Sequence, residues 1–291
     1  MYNKSSSSFS NIYYHDSSLE HGAGDNSYRY AGADPNNYVC FGSDEAICPE
    51  TNLYRIIGVF DGRVKLIKAD YANSDLLGTD GDYTNRSVYI YDNYKGNLSS
   101  VEYYYWNYYA NKYFSNVWST SLLNKTNLNT NYLNNIGSKW SNMIDTVSWK
   151  VGGNSYSDYE KFIPSIAYQK EIINPESNTT YDAKIGLMYI SDYGFAAGPS
   201  AWTRTLYDNF GDGYSNSSVV SINWLYLGLP EFSIFRFSDS SSAYMFIDAT
   251  GYTEATDAIA MGCVRPVFFL SSSIKYSSGD GTKSSPYRIE V

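Results

Sequence analysis

Residues 223–270 constrain the fold more than any other part of this chain. The stretch opens on Asn223-Trp224-Leu225-Tyr226-Leu227-Gly228-Leu229-Pro230 and passes a serine-rich run at 238–242. It then enters Ala243-Tyr244-Met245-Phe246-Ile247-Asp248, with Gly251 behind it, and closes on Gly262-Cys263-Val264-Arg265-Pro266-Val267-Phe268-Phe269-Leu270. Apolar, aromatic-rich runs this short, bounded by Ser, Gly and Pro, suit strands and are too brief for buried helices. Three or four strands joined by polar loops are expected. Arg265 stands between Val and Pro inside an apolar run. A charge there is expected to be half-buried and held by a carboxylate or backbone partner, with Asp248 and Asp192 as the candidate carboxylates.

Upstream, residues 53–60 and 63–69 are β-rich runs separated by Asp61-Gly62, the pair favoured in a tight type I′ turn. A hairpin is expected, with Val64, Leu66 and Ile67 toward the core and Arg63, Lys65 and Lys68 toward water. Leu122, Leu123, Leu128, Tyr132, Leu133 and Ile136 form a helical stripe that Gly137 would end. A short helix near 139–144 and a strand at 148–151 follow, then a mixed region, 154–180, with one ordered segment at 167–173. Residues 184–190 read as a buried strand, with Ser191-Asp192 as the cap of a helix after it. The segment 102–110 is a helix or a tyrosine-rich loop, and residues 274–291 a terminal hairpin or arm. Residues 1–36 are polar and are expected to form a flexible N-terminal segment. No clean linker divides residues 37–291, so one α+β domain is expected there.

Charge and residue usage narrow the chemistry. The formal net charge of −9 disfavours binding to nucleic acid or to anionic membranes. No run approaches the roughly 18 apolar residues of a membrane span. Met1-Tyr2-Asn3-Lys4 and the serines after it lack the apolar core of a signal peptide, so export implies a leader or anchor upstream. Cys40 and Cys48 lie in one polar loop and can bridge easily, which fits an oxidising compartment. Cys263, in an apolar run, reads as an inert buried thiol.

The only histidines, His15 and His21, lie in the polar start on no common face, which argues against a Ser-His or Cys-His catalytic pair and against a metal site. No motif singles out a carboxylate pair from Asp192, Glu231 and Asp248. The chain is therefore read as not an enzyme. Asp80-Gly81-Asp82 and residues 208–216 cluster oxygens of the kind calcium takes, but neither has the spacing of a calcium loop. Turn chemistry accounts for the first, residues 208–216 keep calcium open as a ligand, and no other cofactor is expected. The chain contains 32 Tyr against 21 Lys plus Arg, a bias that suits contact surfaces.

Residues 53–291 resemble a family of bacterial surface-protein domains with a C-type-lectin-like fold, in the form shared with formylglycine-generating enzymes. The resemblance rests on Trp224-Leu225 with Gly228-Leu229-Pro230, on Tyr244 to Asp248 with Gly251, and above all on Gly262 with Val264-Arg265-Pro266 and Phe268 to Leu270. Trp118-Ser119 with Leu122 and Leu133-Asn134, and residues 187–193, agree less specifically. Two features depart from the family. Cys263 is inserted between Gly262 and Val264, which allows a bulge, and the turn is Gly-Leu-Pro. The paired cysteines of formylglycine-generating enzymes and the motifs of calcium-dependent lectins are missing, so neither activity carries over.

The resemblance implies an extracellular or cell-surface module for adhesion or ligand binding, with a carbohydrate or protein ligand. Its expected binding face is formed by loops 198–218 and 228–243, with Tyr207, Phe210, Tyr214, Phe232 and Phe235 as aromatic anchors. The alternatives are a pilin-like subunit of a surface appendage and a hypervariable receptor-binding protein.

Overall fold

The computed structural model describes residues 11–87, 94–108, 115–207, 219–240 and 243–290. Short helices and antiparallel strands alternate through several small sheets, an α+β architecture. The largest sheet has seven strands. Its first five are β1 (Ile12–His15), β2 (Ser27–Tyr30), β3 (Tyr38–Cys40), β4 (Leu53–Phe60) and β5 (Arg63–Lys68). Val267–Phe269 pairs with β5, and Ile185–Gly186 completes that edge.

The β4–β5 hairpin is the centre of this sheet. Asp61 and Gly62 both have positive φ, 48° and 75°, as a type I′ turn requires. The expected exposure of the lysines is corrected. Lys65 and Lys68 are 2% and 3% exposed, because β5 is an inner strand covered on both faces and loses its in–out alternation. A register shift between Ile56 and Gly58 sets Lys65 opposite Gly58, where a Cβ would stand 2.2 Å from the Tyr28 carbonyl oxygen.

The expected flexible start is corrected from residue 11 onward. β1 pairs with β2, and β2 pairs with β4, so the ordered fold begins before residue 37. Polar residues form strands here because their side chains find buried partners. Arg29 reaches Asp25 at 2.6 Å and its guanidinium lies 4.6 Å from the Phe60 ring. His15 accepts a hydrogen bond from Ala23 N–H at Nδ1 (3.0 Å) and packs against Phe195 and Trp202. Burial pushes its pKa down to about 3, so it is a neutral core imidazole.

The helical stripe forms as Leu123–Tyr132 and Leu133–Asn135, ended by Gly137 at φ 83°. The first part is wound wider than an α-helix, as a π-helix. Thr130 Oγ1 and Asn129 Nδ2 donate to carbonyls five residues back, which competes with tighter winding. Asp82 caps the start of this helix, accepting from Leu122 and Leu123 N–H at 3.1 and 3.0 Å. That role, with Asn127 bonded to the 77–82 turn, explains the acidic cluster at Asp80-Gly81-Asp82. Residues 102–105 form a strand where a helix or loop was expected. The helix Ile190–Ala196 starts one residue before the expected cap, and Asp192 accepts from Tyr189 N–H at 2.9 Å. The terminal hairpin forms from Lys275–Ser278 and Arg288–Glu290.

Residues 261–269 bind the sheets together. Met261–Gly262 pairs with Glu102–Tyr105, Cys263 bridges to Glu231, and Val267–Phe269 enters the main sheet. The expected irregularity at Cys263 is therefore a change of sheet. Arg265, 1% exposed, pairs with Glu231, not with Asp248 or Asp192. The bond is bidentate, 2.6 and 2.7 Å, with a third donation to the Leu225 carbonyl at 2.6 Å. The cause is register: Cys263 N–H donates to Pro230 O and Phe232 N–H to Cys263 O, which lays Glu231 beside Arg265. Asp248 instead closes its own turn, accepting from Thr250 and Tyr252 N–H. Asp192 pairs with Lys65 at 2.5 Å.

Cys40 and Cys48 form the disulfide. It ties β3 to the turn Glu50–Asn52 across a sequence separation of 8. Reduction is expected to lower stability by roughly 2 to 3 kcal/mol, the loop-closure value for so short a ring. Thermal unfolding with and without dithiothreitol measures this; an unchanged midpoint would show that the bridge adds nothing. Among the described residues no helix is long and apolar enough to cross a membrane.

Candidate functional site

Of the expected aromatic anchors, the structure describes Phe232, Phe235 and Tyr207. Phe232 and Phe235 are 1% and 4% exposed, because Glu231–Arg236 is a buried strand where a loop was expected. They are core residues; Phe235 packs edge-to-face on Phe162 and Phe237. Tyr207 is half-buried against Tyr159 at 5.2 Å. Phe210 and Tyr214, with the whole 208–216 run, lie outside the described residues. Among the described residues no three His, Cys, Asp or Glu side chains gather as metal ligands.

The structure concentrates polar chemistry elsewhere, in a cleft of about 670 Å³ at the end of β4 and β5. Five segments distant in sequence build it: 33–38, 50–55, 68–76, 95–98 and 223–227, with Lys283 at the margin. The backbone explains their meeting. Ala69 N–H bonds to Leu53 O, Ala72 N–H to Val264 O, and Lys95 N–H to Leu227 O. Asp70 then fixes the overhanging turn, accepting from Tyr94 Oη at 2.5 Å and Asn97 N–H at 2.8 Å. The Tyr94 ring stacks on Tyr71, centroids 5.9 Å apart. The disulfide-tied turn Glu50–Asn52 is another wall.

Four carboxylates (Asp34, Glu50, Asp70, Asp75) and four cations (Arg55, Lys68, Lys95, Lys283) line the cleft, so its formal charge balances. Arg55 is buried between aromatic faces, 4.3 Å from the Tyr38 centroid and 4.7 Å from that of Trp224. It donates to Asp34 at 2.8 Å and to Asn37 at 2.7 Å. Glu50 pairs with Lys283 at 3.0 Å, and Asp75 accepts from Asn73 Nδ2. Lys95 donates to Val220 O and lies over the Tyr226 ring.

Lys68 differs. Its Nζ donates to the Thr51 carbonyl at 2.7 Å, and among the described residues no carboxylate lies within ion-pair distance. Burial pushes its pKa down to about 8, with Asp70 acting in the opposite sense. Asn52, Asn73, Asn97 and Asn223 also border the cleft.

A second cavity, of about 330 Å³, lies beside Arg29, Lys65, Asp192 and Trp149. Its buried cations pair with carboxylates: Lys65 with Asp192, Arg29 with Asp25. Rings of Phe60, Trp149, Tyr189 and Phe269 surround the Lys65 ammonium at 4.7–5.8 Å. It is a brace between β5 and the helix Ile190–Ala196.

Sequence reasoning missed the first cleft. One signal was present: Arg55 interrupts an apolar strand just as Arg265 does, and the same demand for a buried partner applied to it. Comparison of the chain with protein-family models, with curated proteins and with solved structures found no match.

Proposed function

We propose that the protein is an extracellular, surface-associated ligand-binding module of C-type-lectin-like type, and that the cleft between β4–β5 and the 95–98 turn takes a carbohydrate. One observation carries this reading. A cavity of about 670 Å³ holds balanced charge, side-chain amides and the aromatic residues Tyr38, Tyr71, Trp224 and Tyr226. That size suits a small ligand of a few sugar units. Sugars present hydroxyls that both donate and accept, and they need side chains of both kinds beside apolar faces. The Cys40–Cys48 bridge supports an oxidising compartment.

Asn97 is an exposed cleft residue whose replacement leaves the core untouched. Asn97→Trp fills the cleft and is expected to reduce glycan-array binding about tenfold or more, with unchanged thermal unfolding. Tyr207→Ala, at the face expected from the sequence, should leave binding intact. Glycan binding that survives Asn97→Trp and is lost in Tyr207→Ala would move the site away from this cleft.

A further inference from the structure

Within the carbohydrate reading, on which this inference rests, we propose that the cleft selects acidic saccharides, uronate- or sialate-bearing glycans, whose carboxylate is received by Lys68.

The argument is one of unmet donors. An ammonium carries three N–H groups, and burial without compensation is expensive. Lys68 is buried at the wall of a cleft, with the Thr51 carbonyl as its one hydrogen-bond acceptor among the described residues and the Tyr54 ring 5.6 Å away. The other buried cation of the cleft, Arg55, has Asp34, Asn37 and the Pro35 carbonyl. Asp70 acts on Lys68 through charge but makes no ion pair with it among the described residues. Its oxygens are taken by Tyr94 Oη and by the Tyr71 and Asn97 N–H groups, which hold the overhanging turn. The remaining donors of Lys68 face acceptors supplied in the cleft, and an anionic oxygen is a stronger acceptor there than water.

The same lining limits the anion. Asp34, Glu50, Asp70 and Asp75 share the cavity with the ligand. With the lining charges balanced, a dianionic phosphate would bring two charges to one ammonium, whereas one carboxylate places a single charge beside Lys68. Sugar hydroxyls on the remainder of the ligand meet the asparagine amides at the cleft border.

A glycan array that pairs each uronate- or sialate-bearing glycan with its carboxyl-reduced, neutral counterpart tests this on the unmodified protein. The acidic member is expected to bind about tenfold or more tightly, the size of a charge-assisted hydrogen bond. Lys68→Met should abolish that preference, bringing the acidic and neutral members of each pair to the same affinity, and Lys68→Arg should retain part of it. Thermal unfolding of both variants checks that they fold. Equal binding of acidic and neutral partners by the unmodified protein overturns the inference and leaves the carbohydrate reading standing. Stronger binding of phosphorylated than of carboxylated glycans also overturns it. Absence of any glycan binding removes the carbohydrate reading itself, and this inference with it.

Discussion

Glu231→Ala is expected to destabilise the fold by about 3–5 kcal/mol, the usual cost of breaking a buried ion pair from one side. The mutation leaves Arg265 buried with the Leu225 carbonyl as its remaining hydrogen-bond acceptor. Burial works against the Arg265 charge, and the Glu231 carboxylate outweighs it and holds the group above its ordinary pKa. Glu231 sits where Glu231–Arg236 bridges Cys263, so the loss falls on the junction between sheets. A guanidinium without its carboxylate would draw water into that junction. Replacing both partners, Glu231→Leu with Arg265→Met, should recover most of the loss, since no charge is left to solvate. Denaturant unfolding of the single and double variants checks this. A single-variant cost below about 1 kcal/mol, or a double variant no better than Glu231→Ala, contradicts the brace.

Asp192→Asn should cost a similar ~3–5 kcal/mol at neutral pH, for a different reason. It keeps an acceptor for Tyr189 N–H but removes the counter-charge of Lys65, and it takes a carboxylate from beside Arg29, whose Nη1 lies 4.0 Å away. Burial holds the Lys65 pKa below its ordinary value, and Asp192 raises it; without Asp192 it falls further. A lysine whose folded pKa lies below its unfolded one binds fewer protons when folded. Its penalty is present below the folded pKa and fades as pH rises toward the unfolded value near 10.4. Asp192→Asn should therefore regain stability relative to the unmodified protein between pH 7 and pH 10. A constant gap across that range would mean that Lys65 does not carry the loss.

The parts of the fold legible in the sequence were those fixed by local chemistry. Asp61-Gly62 needed positive φ at both positions, Gly137 ended a helix, and Cys40 with Cys48 lay close enough to bridge. Features set by what lies across a sheet were not legible. Lys65 and Lys68 looked solvated because alternation assumes one wet face, and β5 has none. Phe232 and Phe235 looked like loop residues because they lie between Pro230 and the serine-rich run at 238–242, yet their strand is buried from Glu231 to Phe235. Arg265 was correctly read as needing a carboxylate or backbone partner, but the choice of Glu231 depends on a register between residues 230–232 and 263. The polar residues 12–30 gave no apolar pattern, because Arg29 and His15 are buried through partners rather than through hydrophobicity. The cleft was least legible of all. Its five segments share no motif, and Lys68 becomes notable only when its acceptors can be counted.

The central claim is that this cleft is where ligand binds. Two-dimensional 1H–15N spectra recorded while an array-positive glycan is added test it most directly. The predicted result is a progressive shift of the Trp224 indole N–H and of backbone amides at 69–76 and 95–98, with β1, β2 and the hairpin at 275–290 unmoved. Shifts centred on the 198–207 segment or on the terminal hairpin, with the Trp224 signal unchanged, would contradict it.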